Sequence, residues 1–178
     1  MIFDKEGRLA GAPFIASPNF DERPQDAAIE LIVIHNISLP PGVFGGTAII
    51  DLFMNRLDPQ AHPYFAGIAS MRVSAHFLIR RDGELLQFVP CAKRAWHAGV
   101  SLWRERSRCN DFSVGIELEG SDDTDFEDAQ YARLGVLARA LHDRYPILAS
   151  VGHSDIAPGR KTDPGPGFDW KRYHNALT

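Results

Sequence analysis

Apolar residues along the chain switch between two-residue and 3.6-residue spacing, and each switch marks a boundary between elements. In "IELIVIHNI" (29–37) both alternating sets are apolar and many are β-branched, the pattern of a central strand buried on both faces, with His35 near its end. "GTAIIDLFMNRL" (46–57) places Ile50, Phe53, Met54 and Leu57 at helical intervals, with Thr47 available as a cap. "RVSAHFLIRRDGELLQFVP" (72–90) reads as two strands joined at Asp82-Gly83, a strong hairpin signal. In "DFSVGIELEG" (111–120), Phe112, Val114, Ile116 and Leu118 alternate with Ser113, Gly115, Glu117 and Glu119, which predicts a strand with one polar face. "TDFEDAQYARLGVLARALHDRYP" (124–146) has Thr124 and Glu127 at capping-box spacing. It carries Phe126, Leu134, Leu137, Leu141 and Tyr145 at helical intervals before Pro146, so a long helix is expected. Strands and helices do not alternate regularly. The expected fold is therefore of the α+β type within the broad α/β class, a mixed central β-sheet flanked by helices rather than a doubly wound parallel sheet.

One stretch fits neither spacing. "GHSDIAPGRKTDPGPGFDW" (152–170) has few aliphatic side chains, and its prolines push the residues before them out of the helical region, so it reads as a loop. It holds His153, Asp155, Lys161 and Asp163, side chains that together can bind a cation and handle protons, and loops often carry such chemistry.

Composition narrows the setting. With 178 residues, 44% hydrophobic and 24% charged, residues 1–178 match one soluble domain. A net charge of −4 argues against nucleic acid as a partner, since that mode needs clustered Lys and Arg. The beginning of the chain lacks an apolar run fit for a signal-peptide core, and "LIVIHNI" is too short to span a membrane; a cytoplasmic protein with no membrane partner is expected, as is a monomer. Two cysteines are too few for a disulfide scaffold, and free thiols are the default.

Of the seven histidines, His142 and His174 read as surface residues and His62 as a loop residue, whereas His76 suits either a hydrogen-bonded structural role or a functional one. His35 closes an apolar strand and His153 closes "ASVGH", and strand ends are where sites open. Two imidazoles and one carboxylate suit catalytic zinc, which takes three protein ligands and keeps one position open. By spacing alone the carboxylate is Asp155 or Asp163, the latter only if the Pro- and Gly-rich stretch curls back. Glu117 and Glu119 share a strand face at roughly 6.5–7 Å, and either suits a general base if that face lines a cleft. Lys161 can supply positive charge to a developing oxyanion. Trp96 in "RAWHAG" offers an aromatic plate for a sugar face, or simple packing.

Six blocks in order, "LIVIHNISLPPG", "HPYFAGIASMRVSAHFLIRRDGE", "RAWHAGVS", "CNDFSVGIELEG", "YARL" and "GHSDIAPGRKTDPGPGFDW", resemble the AmpD family of cytoplasmic 1,6-anhydro-N-acetylmuramyl-L-alanine amidases across about residues 17–173. The resemblance implies an N-acetylmuramoyl-L-alanine amidase-like fold shared with peptidoglycan-recognition proteins. It also implies a Zn2+ cofactor held by His35, His153 and Asp163, with Glu117 as the catalytic carboxylate and Lys161 as oxyanion stabiliser. The implied substrate is an anhydromuramyl peptide, and Asn36, Arg72, Trp96, Arg108 and Arg160 match positions that line the family's substrate groove. Ser154 departs from the cysteine that the family often carries there; it follows a ligand and is not one. Two rivals remain, a peptidoglycan-binding module and a secreted amidase acting on intact wall. The complete ligand set argues against the first and the expected cytoplasmic location against the second.

Overall fold

A computed structural model describes residues 1–177. In chain order the strands and helices are β1 (Phe20–Glu22), β2 (Leu31–Ile37), α1 (Ala48–Phe53), α2 (Pro63–Ala66), β3 (Phe77–Ile79), β4 (Leu85–Gln87), β5 (Lys93–Ala95), β6 (Leu102–Trp103), β7 (Arg106–Ser107), β8 (Ser113–Glu119), α3 (Asp128–Arg144), β9 (Ala149–Gly152), α4 (His153–Ile156) and α5 (Trp170–Asn175). The main sheet runs β4-β3-β8-β2-β9. β3, β8, β2 and β9 are parallel and β4 joins the edge antiparallel, so the sheet is mixed, as the irregular alternation of elements predicts.

Period-two alternation gives the central strands two distinct faces. Ile32, Ile34, Val114, Ile116, Leu118, Phe77 and Ile79 point one way and pack under Leu134, Leu137 and Leu141 of α3 in the larger core. On the other face, Leu78 joins Ile49, Leu52 and Phe53 of α1 in a second cluster, while Leu31 and Val33 join Phe112 and Ile156 in a third. His35, Glu117 and Glu119 belong to this second face by the same alternation. The expected polar face of β8 is present but is not solvated: all seven residues of β8 are buried.

The hairpin at Asp82-Gly83 forms as predicted. Gly83 has φ +83°, the Arg80 and Glu84 backbones bond across the turn at 2.9 Å, and Asp82 Oδ1 accepts from the Glu84 N–H at 2.9 Å. Three local expectations change. α1 is shorter than its pattern, ending where Asn55 turns left-handed (φ +58°) and Ser17 Oγ and Asn19 Nδ2 take up the Phe53 carbonyl; of the expected face Phe53 and Leu57 are buried, Ile50 and Met54 are half-buried, and Ile49 and Leu52 are buried in addition. Thr47 is the N-cap residue, yet its side chain makes no capping bond. α3 is capped three residues later than Thr124: that hydroxyl pairs with Ser121 (2.8 Å), Glu127 is the N-cap, and Gln130 Oε1 accepts the Glu127 N–H at 3.0 Å. Within the expected loop, residues 153–156 form the single helical turn α4.

Gln130 is fully buried, and its Nε2 also donates to the Ile79 carbonyl (3.2 Å) and the Glu119 carbonyl (3.0 Å), tying α3 to β3 and β8. Gln130→Leu keeps the volume and leaves those groups unpaired. It is expected to lower stability by about 2–4 kcal/mol, read as a lower urea midpoint at unchanged slope.

Candidate metal and catalytic site

β2 and β9 pair in parallel with Ile34 opposite Gly152, so the next residues, His35 and His153, emerge side by side. The loop after α4 then returns to them, since the Ser154 N–H donates to the Asp163 carbonyl at 2.9 Å. Gly152 permits this approach, because a Cβ there would lie 2.8 Å from Pro164 Cδ. Asn36 Nδ2 secures the returning loop through the Pro164 carbonyl (3.0 Å) and ties it to the turn after β8 through Asp122 Oδ1 (2.7 Å).

Three potential ligand atoms converge as a result. His35 Nδ1 is 3.0 Å from His153 Nδ1, and Asp163 Oδ2 is 2.9 Å from the first and 3.1 Å from the second. His153 Nε2 donates to the Ala98 carbonyl at 3.0 Å, which leaves its Nδ1 as a lone pair facing inward. Lone pairs from two imidazoles and a carboxylate within 4.8 Å of one another make a cation site, and the N/N/O set suits zinc. Of the two aspartates that spacing left open, only Asp163 meets the histidines. Asp155 Oδ2 accepts from the Gly152 N–H at 2.7 Å and is held by its own turn.

Burial lowers the His35 imidazole to about 4 against the opposing pull of the neighbouring Asp163 carboxylate. For Asp163, burial pushes upward, but the adjoining His153 and His35 imidazoles outweigh it and hold the carboxyl far below the usual range.

Glu117 lies opposite His35 in the β2·β8 register. Its Oε2 is the one buried side-chain N or O atom without a hydrogen-bond partner among the described residues. Burial, reinforced by the charge of Asp163 and opposed by Lys161, pushes its pKa well above the ordinary value. Glu119, two residues on, is fully engaged: its Oε1 accepts from the Gly45 N–H (2.7 Å) and Arg80 (3.3 Å), and its Oε2 from the Arg81 N–H (3.3 Å).

A cavity of about 570 Å³ opens over these groups, lined by Glu117, Lys161, Asn36, Trp96 and Arg160 among others. Arg160 also donates to the carbonyls of Ala98 (2.7 Å) and Val100 (2.6 Å), bracing the loop that holds His153. Arg72 and Arg108 do not line this cavity: Arg72 bonds the Ser70 and Met71 carbonyls, and Arg108 pairs with Asp111 at 3.1 Å. Sequence reasoning passed over His97, which lines the cavity and whose Nδ1 is 3.0 Å from His35 Nε2. The available signal was Gly115, a glycine inside a strand, where a Cβ would meet His97 Cγ at 2.4 Å. His76 resolves as structural, fully buried, accepting from the Gly115 N–H (3.0 Å) and donating to the Lys93 carbonyl (3.1 Å).

Fold and site together define a hydrolase of the amidase class, and the chain belongs to the N-acetylmuramoyl-L-alanine amidase family, whose model matches residues 25–166. It is 59% identical over 180 residues to the 1,6-anhydro-N-acetylmuramyl-L-alanine amidase AmpD of Citrobacter freundii, covering 100% of this chain and 96% of that protein. Its fold matches the crystal structure of a selenomethionine AmpD derivative with a TM-score of 0.97 at 59% identity, over 100% of both chains. It also matches AmiD from Escherichia coli in complex with anhydro-N-acetylmuramic acid-L-Ala-D-γ-Glu-L-Lys, at a TM-score of 0.63 and 30% identity, over 89% of this chain and 66% of that one. The AmpD resemblance carried by the sequence blocks is borne out. Among the described residues no helix is long and apolar enough to cross a membrane.

The buried neutral imidazoles set a pH dependence. Desolvation lowers His35 to about 4 and His76 to about 3, and takes His97 well below 6.5. Below about pH 6.5 the unfolded chain therefore binds protons that the folded, metal-free chain refuses, and stability falls as pH drops through that window. Urea midpoints of chelator-treated protein should fall between about pH 6.5 and 5, by up to roughly 1.4 kcal/mol per pH unit for each of the three rings. A flat profile would contradict their burial as neutral groups.

Proposed function

We propose that this protein is a zinc-dependent amidase that hydrolyses the bond between 1,6-anhydro-N-acetylmuramic acid and L-alanine in cell-wall muropeptides. It acts as a cytoplasmic monomer in peptidoglycan recycling. The observation that carries this is the pairing of three converging ligand atoms with one unpartnered buried carboxyl at the floor of a single cavity. The names and bound ligand of its relatives support the substrate class.

His35, His153 and Asp163 hold the ion in this reading. Bound there, zinc supplies a Lewis acid that polarises the scissile carbonyl and makes water a better nucleophile near neutral pH. Glu117 takes the proton of the attacking water and delivers it to the departing amine, and a carboxyl raised above its ordinary pKa by burial suits a group that must both accept and return a proton. Lys161 lines the same cavity and places positive charge where the carbonyl oxygen becomes negative. Asn36, Trp96 and Arg160 contact the sugar and peptide within the cavity, and Arg72 and Arg108 serve its approaches, where guanidinium groups pair with peptide carboxylates.

Purified protein is expected to hold about one zinc per chain, measured by elemental analysis, and to lose turnover of anhydromuramyl-tripeptide on chelation while keeping its circular dichroism. Activity surviving complete metal removal would sink the mechanism. Glu117→Gln keeps the shape of the side chain and removes the base, so kcat should fall by on the order of 10²–10⁴ with zinc content unchanged. Glu119→Gln should lower stability more than kcat, because its carboxylate is occupied by Gly45, Arg80 and Arg81. The assignment of the base is wrong if Glu119→Gln is the more damaging change to kcat with zinc retained.

A further inference from the structure

We infer that Ser113 and His97 are positioning residues that set the tautomer of His35 through a directional hydrogen-bond chain, so that the His35 Nδ1 lone pair is presented to the metal site. The inference rests on the zinc reading of His35, His153 and Asp163.

The direction follows from proton counting along four groups. Ser113 Oγ donates its only proton to the Cys109 carbonyl at 2.6 Å. Its contact with His97 Nε2, at 3.1 Å, must therefore be accepted by the hydroxyl oxygen, and His97 carries its proton on Nε2. The ring's partners are a hydroxyl and another imidazole, with no carboxylate among the described residues bonded to it to hold a second proton, so its Nδ1 is a bare acceptor. His35 Nε2 lies 3.0 Å from that Nδ1 and must be the donor. With the His35 proton on Nε2, Nδ1 is a lone pair, and Nδ1 is the atom that meets His153 Nδ1 and Asp163 Oδ2.

The surroundings keep the chain in place. Asn110 Oδ1 accepts the backbone N–H groups of His97 (3.2 Å) and Ala98 (2.8 Å), Gly115 leaves room for the ring, and His76 packs edge-on to it at 5.7 Å between centroids. The two histidine ligands are thus oriented differently. His153 uses a backbone carbonyl as its outer acceptor, whereas His35 uses a side chain that itself needs a correctly protonated partner. A metal-bound imidazole oriented by an acceptor on its far nitrogen is a general device, and loss of the acceptor typically costs 10–100-fold in affinity.

Two measurements on the full-length protein test this. In the zinc-loaded protein, long-range 1H–15N correlation spectra of the histidine rings should report His97 protonated on Nε2 and bare on Nδ1; the reverse tautomer overturns the proposal. In chelator competition, with zinc alone as the ligand, His97→Phe fills the ring volume without an acceptor and should weaken zinc binding roughly 10–100-fold. His97→Asn puts an amide oxygen near the Nδ1 position and should restore binding to within a few fold. Ser113→Ala, a smaller change that guards against misfolding of the Phe variant, should weaken binding in the same direction and mix the His97 tautomers. Wild-type affinity in both His97→Phe and Ser113→Ala overturns the chain and leaves the zinc reading intact. Equal loss in His97→Phe and His97→Asn makes His97 a packing residue and also overturns it. Wild-type protein that binds no zinc overturns the zinc reading itself, and this inference with it.

Discussion

A polar strand face buried inside a protein is tolerable only when nearly every polar atom on it is bonded, and β8 imposes that constraint on everything around it. Its second face carries Ser113, Glu117 and Glu119 at 9% exposure or less. Ser113 is satisfied by the Cys109 carbonyl and His97, and Glu119 by a loop N–H, a hairpin N–H and an arginine. Glu117 alone is left with an unpaired oxygen. That exception is energetically unfavourable in the resting fold and chemically useful, since a carboxyl held away from partners is free to exchange a proton with a bound water or substrate.

The apolar packing explains why the polar groups stay where they are. One face of the sheet lies against α3 in a continuous core, while the other is divided into two clusters with the site between them. The parallel pairing of β2 with β8 and with β9 fixes these strands laterally, so the ends that carry His35 and His153 cannot drift apart without breaking the ladder. Packed surroundings also lower the local dielectric, which accounts for the depressed His35 and elevated Glu117.

Two loops complete the site, and each is tied to the other. The returning loop that bears Asp163 is held by the Ser154–Asp163 backbone bond and by Asn36. The loop around Ala98 receives His153 Nε2 and two bonds from Arg160, a residue of the first loop. Arg160 and Asn36 therefore line the cavity while also serving as struts for the loops that carry the converging side chains. The overall fold persists at 30% identity in AmiD.

The alternation of apolar and polar residues was enough to determine the central strands, the Asp82-Gly83 hairpin, the long helix and the mixed sheet, because these depend on which side chains can be buried over short distances. The candidate chemistry was legible by residue type only as one reading among others, since histidine and aspartate also serve structural and solvent-facing roles in loops and at strand ends. Spacing could not choose between Asp155 and Asp163 or between Glu117 and Glu119; the family resemblance chose. The tertiary structure supplies the physical reasons: Asp155 bonds its own turn and Glu119 is saturated by loop and hairpin donors, contacts made across the fold and invisible to local pattern. The same holds for the α3 cap, decided by Gln130 reaching across to the sheet, and for His97, whose place beside His35 depends on a glycine in a different strand. Periodicity determines which faces are buried, and only three-dimensional closure decides which buried polar atoms find partners and which one is left free to react.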